Sequence, residues 1–252
     1  DIRMKGNRDM DFHGRLFAGF GRIEGKDFHF DYNKFQVTLD SVRYFDLFLP
    51  TGKVQKNGEP EAYSIGSRIE HLSGVLLIDA PANKSGRENI EMFPSMESKK
   101  NAFVFYDYKK TQGGAYERDS FYFKLNPFSF NSLDKYIKED IKFKGKLISA
   151  DIFPTIDETV LVREDSSLGF VTKTPTEGYA NYRGKGQFAG SIDLSNKGLL
   201  GKGTLNYLGA KIDSEDLIFK PQQMTGSAER FDMEEDRKSA VQVPQVRGFD
   251  VT

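Results

Sequence analysis

The chain has 252 residues, 36 of them basic and 37 acidic, for a formal net charge of −1. That length can bury a sizeable core, as one large β domain or two smaller ones, and the charge balance removes the long-range attraction that nucleic acid or an anionic membrane would need. Cysteine is absent, which excludes disulfides, thiolate catalysis and cysteine-based zinc or iron–sulfur sites. There are 22 Phe and 11 Tyr but no Trp. Phe fills space between layers with no polar atom to satisfy, so the composition points to an aromatic β core. The missing indoles weaken a sugar-binding reading. No apolar run reaches the length of a membrane helix, so no transmembrane segment is expected. The chain opens at Asp1 with no leader-like stretch and is expected to be a mature product or a piece of something longer. A cysteine-free chain also suits an extracytoplasmic bacterial setting.

Strand signals dominate in chain order. The first is Phe12-His13-Gly14-Arg15-Leu16-Phe17-Ala18. Its pattern of glycine, one residue, then an apolar residue returns at Gly74, Gly145, Gly186 and Gly203. A strand repeated with glycine at a fixed point builds sheet by reiteration. Asp27 to Tyr32 alternates with its three aromatics on one face, and Phe35 to Leu39 resumes the alternation, so the two form a hairpin. Val42 to Leu49, Ile69 to Ile78, Ala102 to Tyr108 and Ser120 to Leu125 read as further strands, with a polar loop over 53–61. The segment 81–100 carries Pro, Gly and many charges and reads as a long connection. Ser132 or Asn131 can cap one short helix running to Asp140, with Leu133, Tyr136 and Ile137 on one face. In the last third, Gln187 to Leu194, Leu199 to Tyr207 and Lys211 to Phe219 alternate regularly. The spacing from Gly186 to Gly203 fits either one coil of a β-solenoid or a strand–turn–strand unit. The expected fold is all-β: an elongated repetitive sheet (β-solenoid, β-groove or antiparallel meander sandwich) with one short helix. It spans a repetitive domain over 1–232, with a subdivision near 81–100 and a loosely attached tail over 233–252.

Chemical motifs are weak. His13, His29 and His71 are the only histidines, and no spacing sets two on one face as a metal pair needs. No Gly-x-Ser-x-Gly nucleophile turn is present. Gly184-Lys185-Gly186 and Gly201-Lys202-Gly203 precede alternating strands, so they read as bend or bulge glycines and not as a phosphate loop. Adjacent carboxylates such as Glu215 and Asp216, or the run Glu234, Glu235 and Asp236, point to opposite faces of a strand and read as solvated charge. Asp193 to Gly198 lacks the ligand set of a calcium loop and reads as a turn. No catalytic residue, metal or cofactor is expected.

The segment Gly186-Gln187-Phe188-Ala189-Gly190-Ser191-Ile192-Asp193-Leu194-Ser195-Asn196-Lys197-Gly198-Leu199-Leu200-Gly201-Lys202-Gly203-Thr204-Leu205 resembles the Gly-punctuated strands of AsmA/TamB-like envelope proteins. Gly203 to Phe219 is also similar to the OstA-type repeats of lipopolysaccharide-transport proteins. The resemblance covers about residues 184–220, with echoes at 12–18 and 143–149. It implies a long β groove that shields lipid between bacterial membranes, and no catalytic residues. The resulting expectation is a non-enzymatic β scaffold or lipid-shielding segment of a bacterial cell-envelope protein, in the periplasm or associated with the outer membrane. The alternative is a protein-binding or assembly module using exposed strand edges. Lipid or other envelope proteins are the expected partners. Candidate lining residues on the apolar face are Phe188, Ile192, Leu205, Tyr207, Ile212 and Phe219.

Overall fold

A computed structural model of the protein describes residues 1–233 and 245–251. The chain is all-β. In order, its strands are β1 (Ile2–Met4), β2 (Met10–Ala18), β3 (Gly21–Asp31), β4 (Gln36–Val54), β5 (Pro60–Ser64), β6 (Ile69–Glu70), β7 (Gly74–Leu77), β8 (Ser95–Ser98), β9 (Ala102–Phe105), β10 (Phe121–Leu125) and β11 (Ser129–Phe130). They continue as β12 (Lys142–Ser149), β13 (Ile156–Val162), β14 (Leu168–Lys173), β15 (Tyr179–Asn181), β16 (Gly186–Ser195), β17 (Gly198–Tyr207), β18 (Ala210–Phe219), β19 (Met224–Thr225), β20 (Ala228–Met233) and β21 (Val246–Val251). The chain divides into two compact units, one of residues 1–105, 123–145 and 159–168, the other of 106–122, 146–158 and 169–252. The division is therefore discontinuous in sequence and does not fall at 81–100. Of the expected tail, residues 234–244 and 252 lie outside the described residues, and Val246–Val251 pairs with β20.

In the first unit β1, β2, β3 and β4 form an antiparallel meander. This is the meander layout among those expected, since neighbours in sequence pair antiparallel and do not coil as in a solenoid. Alternation puts one apolar face inward, and the strand register lines its side chains into rows. One row runs Met4, Met10, Phe30, Val37, Leu76, Met96 and Phe130 across β1, β2, β3, β4, β7, β8 and β11. Burial changes steadily along it: Met4 is 66% exposed, Met10 and Phe30 are half-buried, and Val37 is 1% exposed. The outer end of the sheet thus carries core-type side chains without a full cover. On the other face Asp46 is buried and is held by Arg22 and by Arg68 Nε at 3.2 Å.

The short helix lies at Pro81–Lys84, inside the segment read as a connection. Over 132–140 only a 3-10 turn forms, at Lys138–Asp140. Ser132 Oγ does accept the N–H groups of Asp134 and Lys135, as an N-cap would. A helix cannot follow, because its backbone groups are committed elsewhere. The Leu133 N–H donates to the Pro94 carbonyl (2.7 Å), and the Leu133 carbonyl accepts from the Phe20 N–H (2.8 Å). Tertiary hydrogen bonds override the local pattern here.

In the second unit β14 and β15 both pair with one side of β16, which continues through β17, β18, β20 and β21. The strands β15 to β18 repeat β1 to β4, in register except for one extra residue on β3 between Gly25 and Phe28 that β17 lacks. Ile2↔Phe12 and Met4↔Met10 correspond to Tyr179↔Phe188 and Asn181↔Gly186. Gly14↔Gly25 corresponds to Gly190↔Gly203, Leu16↔Ile23 to Ile192↔Gly201, and Ala18↔Gly21 to Leu194↔Leu199. The third and fourth strands also match: Gly25↔Val42, Ile23↔Phe45 and Gly21↔Leu47 correspond to Gly203↔Ser214, Gly201↔Leu217 and Leu199↔Phe219, with the same extra residue on the last strand. The counterpart of Gly14 is therefore Gly190 and not Gly186. The strand motif that repeats is Phe-x-Gly-x-Leu/Ile, at Phe12 and at Phe188.

Two glycines explain why the signature needs this residue. Gly203 has φ +149, and a Cβ there would lie 2.3 Å from the Ala189 carbonyl oxygen. Gly145, in β12, has no such φ, but its Cβ would lie 2.2 Å from the Lys124 carbonyl oxygen on the neighbouring strand. Both are points where backbones approach too closely for a side chain. Gly145→Val and Gly203→Val should each lower the free energy of unfolding by about 1–3 kcal/mol in urea titrations. Gly6→Val, at a position where an added Cβ meets nothing within 4 Å, should change it by less than about 0.5 kcal/mol. Unchanged midpoints for both strand variants would show that the signature carries no packing constraint.

Candidate functional site

The expected apolar stripe lies in the second unit. Period two puts Phe188, Gly190, Ile192 and Leu194 on one face of β16. Register then carries the row across the sheet as Tyr179, Phe188, Leu205, Ile212 and Phe231. Beside it run Ile192, Gly201 and Leu217 on one side and Tyr207, Ala210 and Met233 on the other. The six residues expected on this face thus share it, yet they do not share an environment.

Phe188, Ile192, Leu205 and Phe219 are wholly buried. The Phe188 and Phe219 rings meet edge to face at 5.1 Å, and Phe153 closes on them at 5.9 and 4.9 Å. The rings crowd over Gly201, where an added Cβ would lie 2.4 Å from Phe219 and 2.9 Å from Phe188. This part of the face is a filled aromatic core. Tyr207 and Ile212 are half-buried, as are Phe231 and Met233 beyond them. Only this margin of the stripe can meet a ligand. Sequence reading missed Phe231 and Met233 because charges surround them, although Arg230-Phe231-Asp232-Met233 does alternate. It missed Phe153 because that residue sits in a turn segment and not in a strand.

A buried tyrosine and a half-buried one fasten this core. Tyr116 donates its hydroxyl proton to the Phe219 carbonyl (2.8 Å) and accepts from the Leu199 N–H (3.0 Å). That ties the start of β17 to the end of β18, and burial pushes the phenol up to about 12. Tyr182 donates to the carbonyls of Lys220 and Gln223, and burial raises its pKa too. It lines an open polar depression of about 840 Å³ with Glu117, Asp151, Arg183, Lys185 and Lys220. Arg183 and Asp151 pair there at 2.7 Å.

The titratable groups singled out in the sequence are separately engaged. His29 Nδ1 is 2.7 Å from Asp11 Oδ1, while Lys5 Nζ is 2.8 Å from Asp11 Oδ2. Hydrogen bonds from Lys5 and then His29 hold the Asp11 carboxyl below the usual range. The His13 ring faces the Asp1 amino group at 3.3 Å. His71 meets the rings of Phe103 and Phe105 edge-on, at 6.1 and 6.0 Å. His13 and His71 both rim a shallow trough of about 640 Å³ with Lys26 and Arg43. The one carboxylate in it, Glu24, is bound by Arg15 and by the Tyr44 hydroxyl. Among the described residues no group of three or more His, Asp or Glu side chains is placed to hold a metal ion. Asp193 to Gly198 spans the β16–β17 turn. Glu215 pairs with Lys202, and Asp216 accepts from the Ser227 N–H at 2.6 Å. Glu234, Glu235 and Asp236 lie outside the described residues.

Among the described residues no helix is long and apolar enough to cross a membrane. No family model, no curated protein and no solved structure matches the chain.

Tyr116→Phe should cost about 1–3 kcal/mol, because it leaves the Leu199 N–H and Phe219 carbonyl without their partner. The raised pKa adds a signature. The unfolded phenol ionises near its ordinary value of 10.0 while the folded one stays protonated to about 12. Its contribution is therefore complete below pH 10 and is lost as pH rises toward 12. The slope of stability against pH in that window should be shallower in Tyr116→Phe, read from urea midpoints; equal slopes would contradict the burial of this hydroxyl.

Proposed function

We propose that the chain is a non-enzymatic β scaffold of a bacterial cell-envelope protein, placed in the periplasm or against the outer membrane, whose apolar sheet face is open at its margin to lipid acyl chains. The observation that carries this reading is the repeated register of β1 to β4 and β15 to β18. One module is reiterated to lengthen a sheet, and its inner face passes from packed core to half-open apolar surface without a polar break. An apolar margin continuous with a core is the kind of surface that soluble proteins keep for a partner. The likeness of residues 184–220 to AsmA/TamB-like and OstA-type repeats supports lipid as that partner. The carboxylates Asp11, Glu24, Asp151, Glu215 and Asp216 each have a polar partner, which favours a structural role over catalysis.

The alternative, an assembly module that pairs through strand edges, draws on the same sheet and predicts a different captured molecule. Benzophenone side chains at Ile212 and Phe231 should crosslink lipid in cells, while the same probe at Phe188, deep in the core, should not. The chain should fractionate with the envelope. Capture of protein alone at Ile212 and Phe231 would favour the assembly reading. Recovery in the cytoplasm, or no capture at either margin position, would overturn the lipid-facing scaffold.

A further inference from the structure

The two modules match strand for strand with one exception. In the second unit the outer side of β16 is covered along two stretches. β15 pairs with Gly186 to Phe188, and β14 pairs with Ser191 to Leu194 through Lys173↔Ser191, Thr172↔Ile192, Val171↔Asp193 and Phe170↔Leu194. In the first unit β1 takes the place of β15, pairing with Met10 to Phe12. Nothing takes the place of β14: among the described residues β2 pairs only with β1 and β3. The stretch Arg15, Leu16 and Phe17 corresponds to Ser191, Ile192 and Asp193, and its outer edge is bare.

Side-chain burial records the same gap. Ile192 is wholly buried where β14 runs beside it. Leu16, its counterpart, is only half-buried, and Phe17 is 71% exposed. The seat has a definite end. At Gly19 an added Cβ would strike the Leu133 carbonyl oxygen at 2.3 Å, so the loop through Leu133 closes the edge beyond Ala18. An open strand edge with apolar side chains is a template for pairing.

We infer that the outer edge of β2 over Arg15–Phe17 seats one further antiparallel strand, contributed by the same polypeptide from residues upstream of Asp1. The source follows from the connection in the second module. There β14 (Leu168–Lys173), paired with β16, immediately precedes β15 (Tyr179–Asn181) and is joined to it by the short link 174–178. The same link drawn back from β1 brings the missing strand from just upstream. It places a residue beside Leu16, as Thr172 stands beside Ile192, and buries Leu16 as Ile192 is buried. The inference rests on strand register and is independent of whether the apolar margin meets lipid.

Hydrogen exchange on the polypeptide carrying its upstream residues, compared with the chain that begins at Asp1, tests this. The Arg15–Phe17 amides not bonded to β3 should exchange about tenfold or more slowly in the longer polypeptide. Those of Met10–Phe12, already covered by β1, should exchange alike in both. A benzophenone side chain in place of Phe17, in the longer polypeptide in cells, should crosslink to its own residues upstream of Asp1. Equal exchange in the two chains would overturn the inference. So would a Phe17 crosslink to a second copy, to another protein or to lipid.

Discussion

The second unit depends on the close approach of backbones at facing glycines. Gly14 faces Gly25, and Gly190 faces Gly203. At Gly190 and Gly203 an added Cβ would overlap carbonyl oxygens of the opposite strand. Side chains alternate with period two, so a slip of one residue would turn every core residue to solvent. The tight crossing admits one register only. It fixes Phe188 beside Leu205, and from that pair the apolar rows extend across the sheet. In the first unit an added Cβ at Gly14 meets nothing within 4 Å, and an extra residue on β3 separates Gly14↔Gly25 from Phe12↔Phe28.

The rows account for the distribution of burial better than composition does. Where further strands or aromatic side chains lie over the face, as Phe153 does over Phe188 and Phe219, the interior is closed. Toward β1 in one unit and β20 in the other the same alternation continues with less cover. A sheet built by reiteration keeps its inward pattern to its last strand, whether or not anything lies over it. The half-open margin at Ile212 and Phe231 and the bare edge at Arg15–Phe17 are two consequences of that rule, one on a face and one on an edge.

Polar chemistry is subordinate to this frame. The hydroxyls of Tyr116, buried, and Tyr182, half-buried, serve backbone carbonyls at and just beyond the end of β18. Asp46, buried on the opposite face of the first unit, is balanced by two arginines. The histidines are each taken up by a different partner.

The sequence alone determined the all-β class, the hairpin from Asp27 to Leu39, the three regular strands of the last third and the shared face of Phe188 and Ile192 on one strand; that Leu205 and Ile212 join them came from the pairing register. These follow from period-two alternation, a local property that needs no knowledge of neighbours. It could not determine which glycines correspond, because Gly186 and Gly190 both precede an apolar residue by two, and only the pairing with β17 tells them apart. Nor could it determine that a capped turn at Ser132 stays a turn, since the Leu133 backbone bonds Phe20 and Pro94, both remote in sequence. The division of the lining residues into core and margin was likewise a tertiary outcome. It depends on which side chains from elsewhere in the chain cover a face, and alternation says which way a residue points but not what it meets.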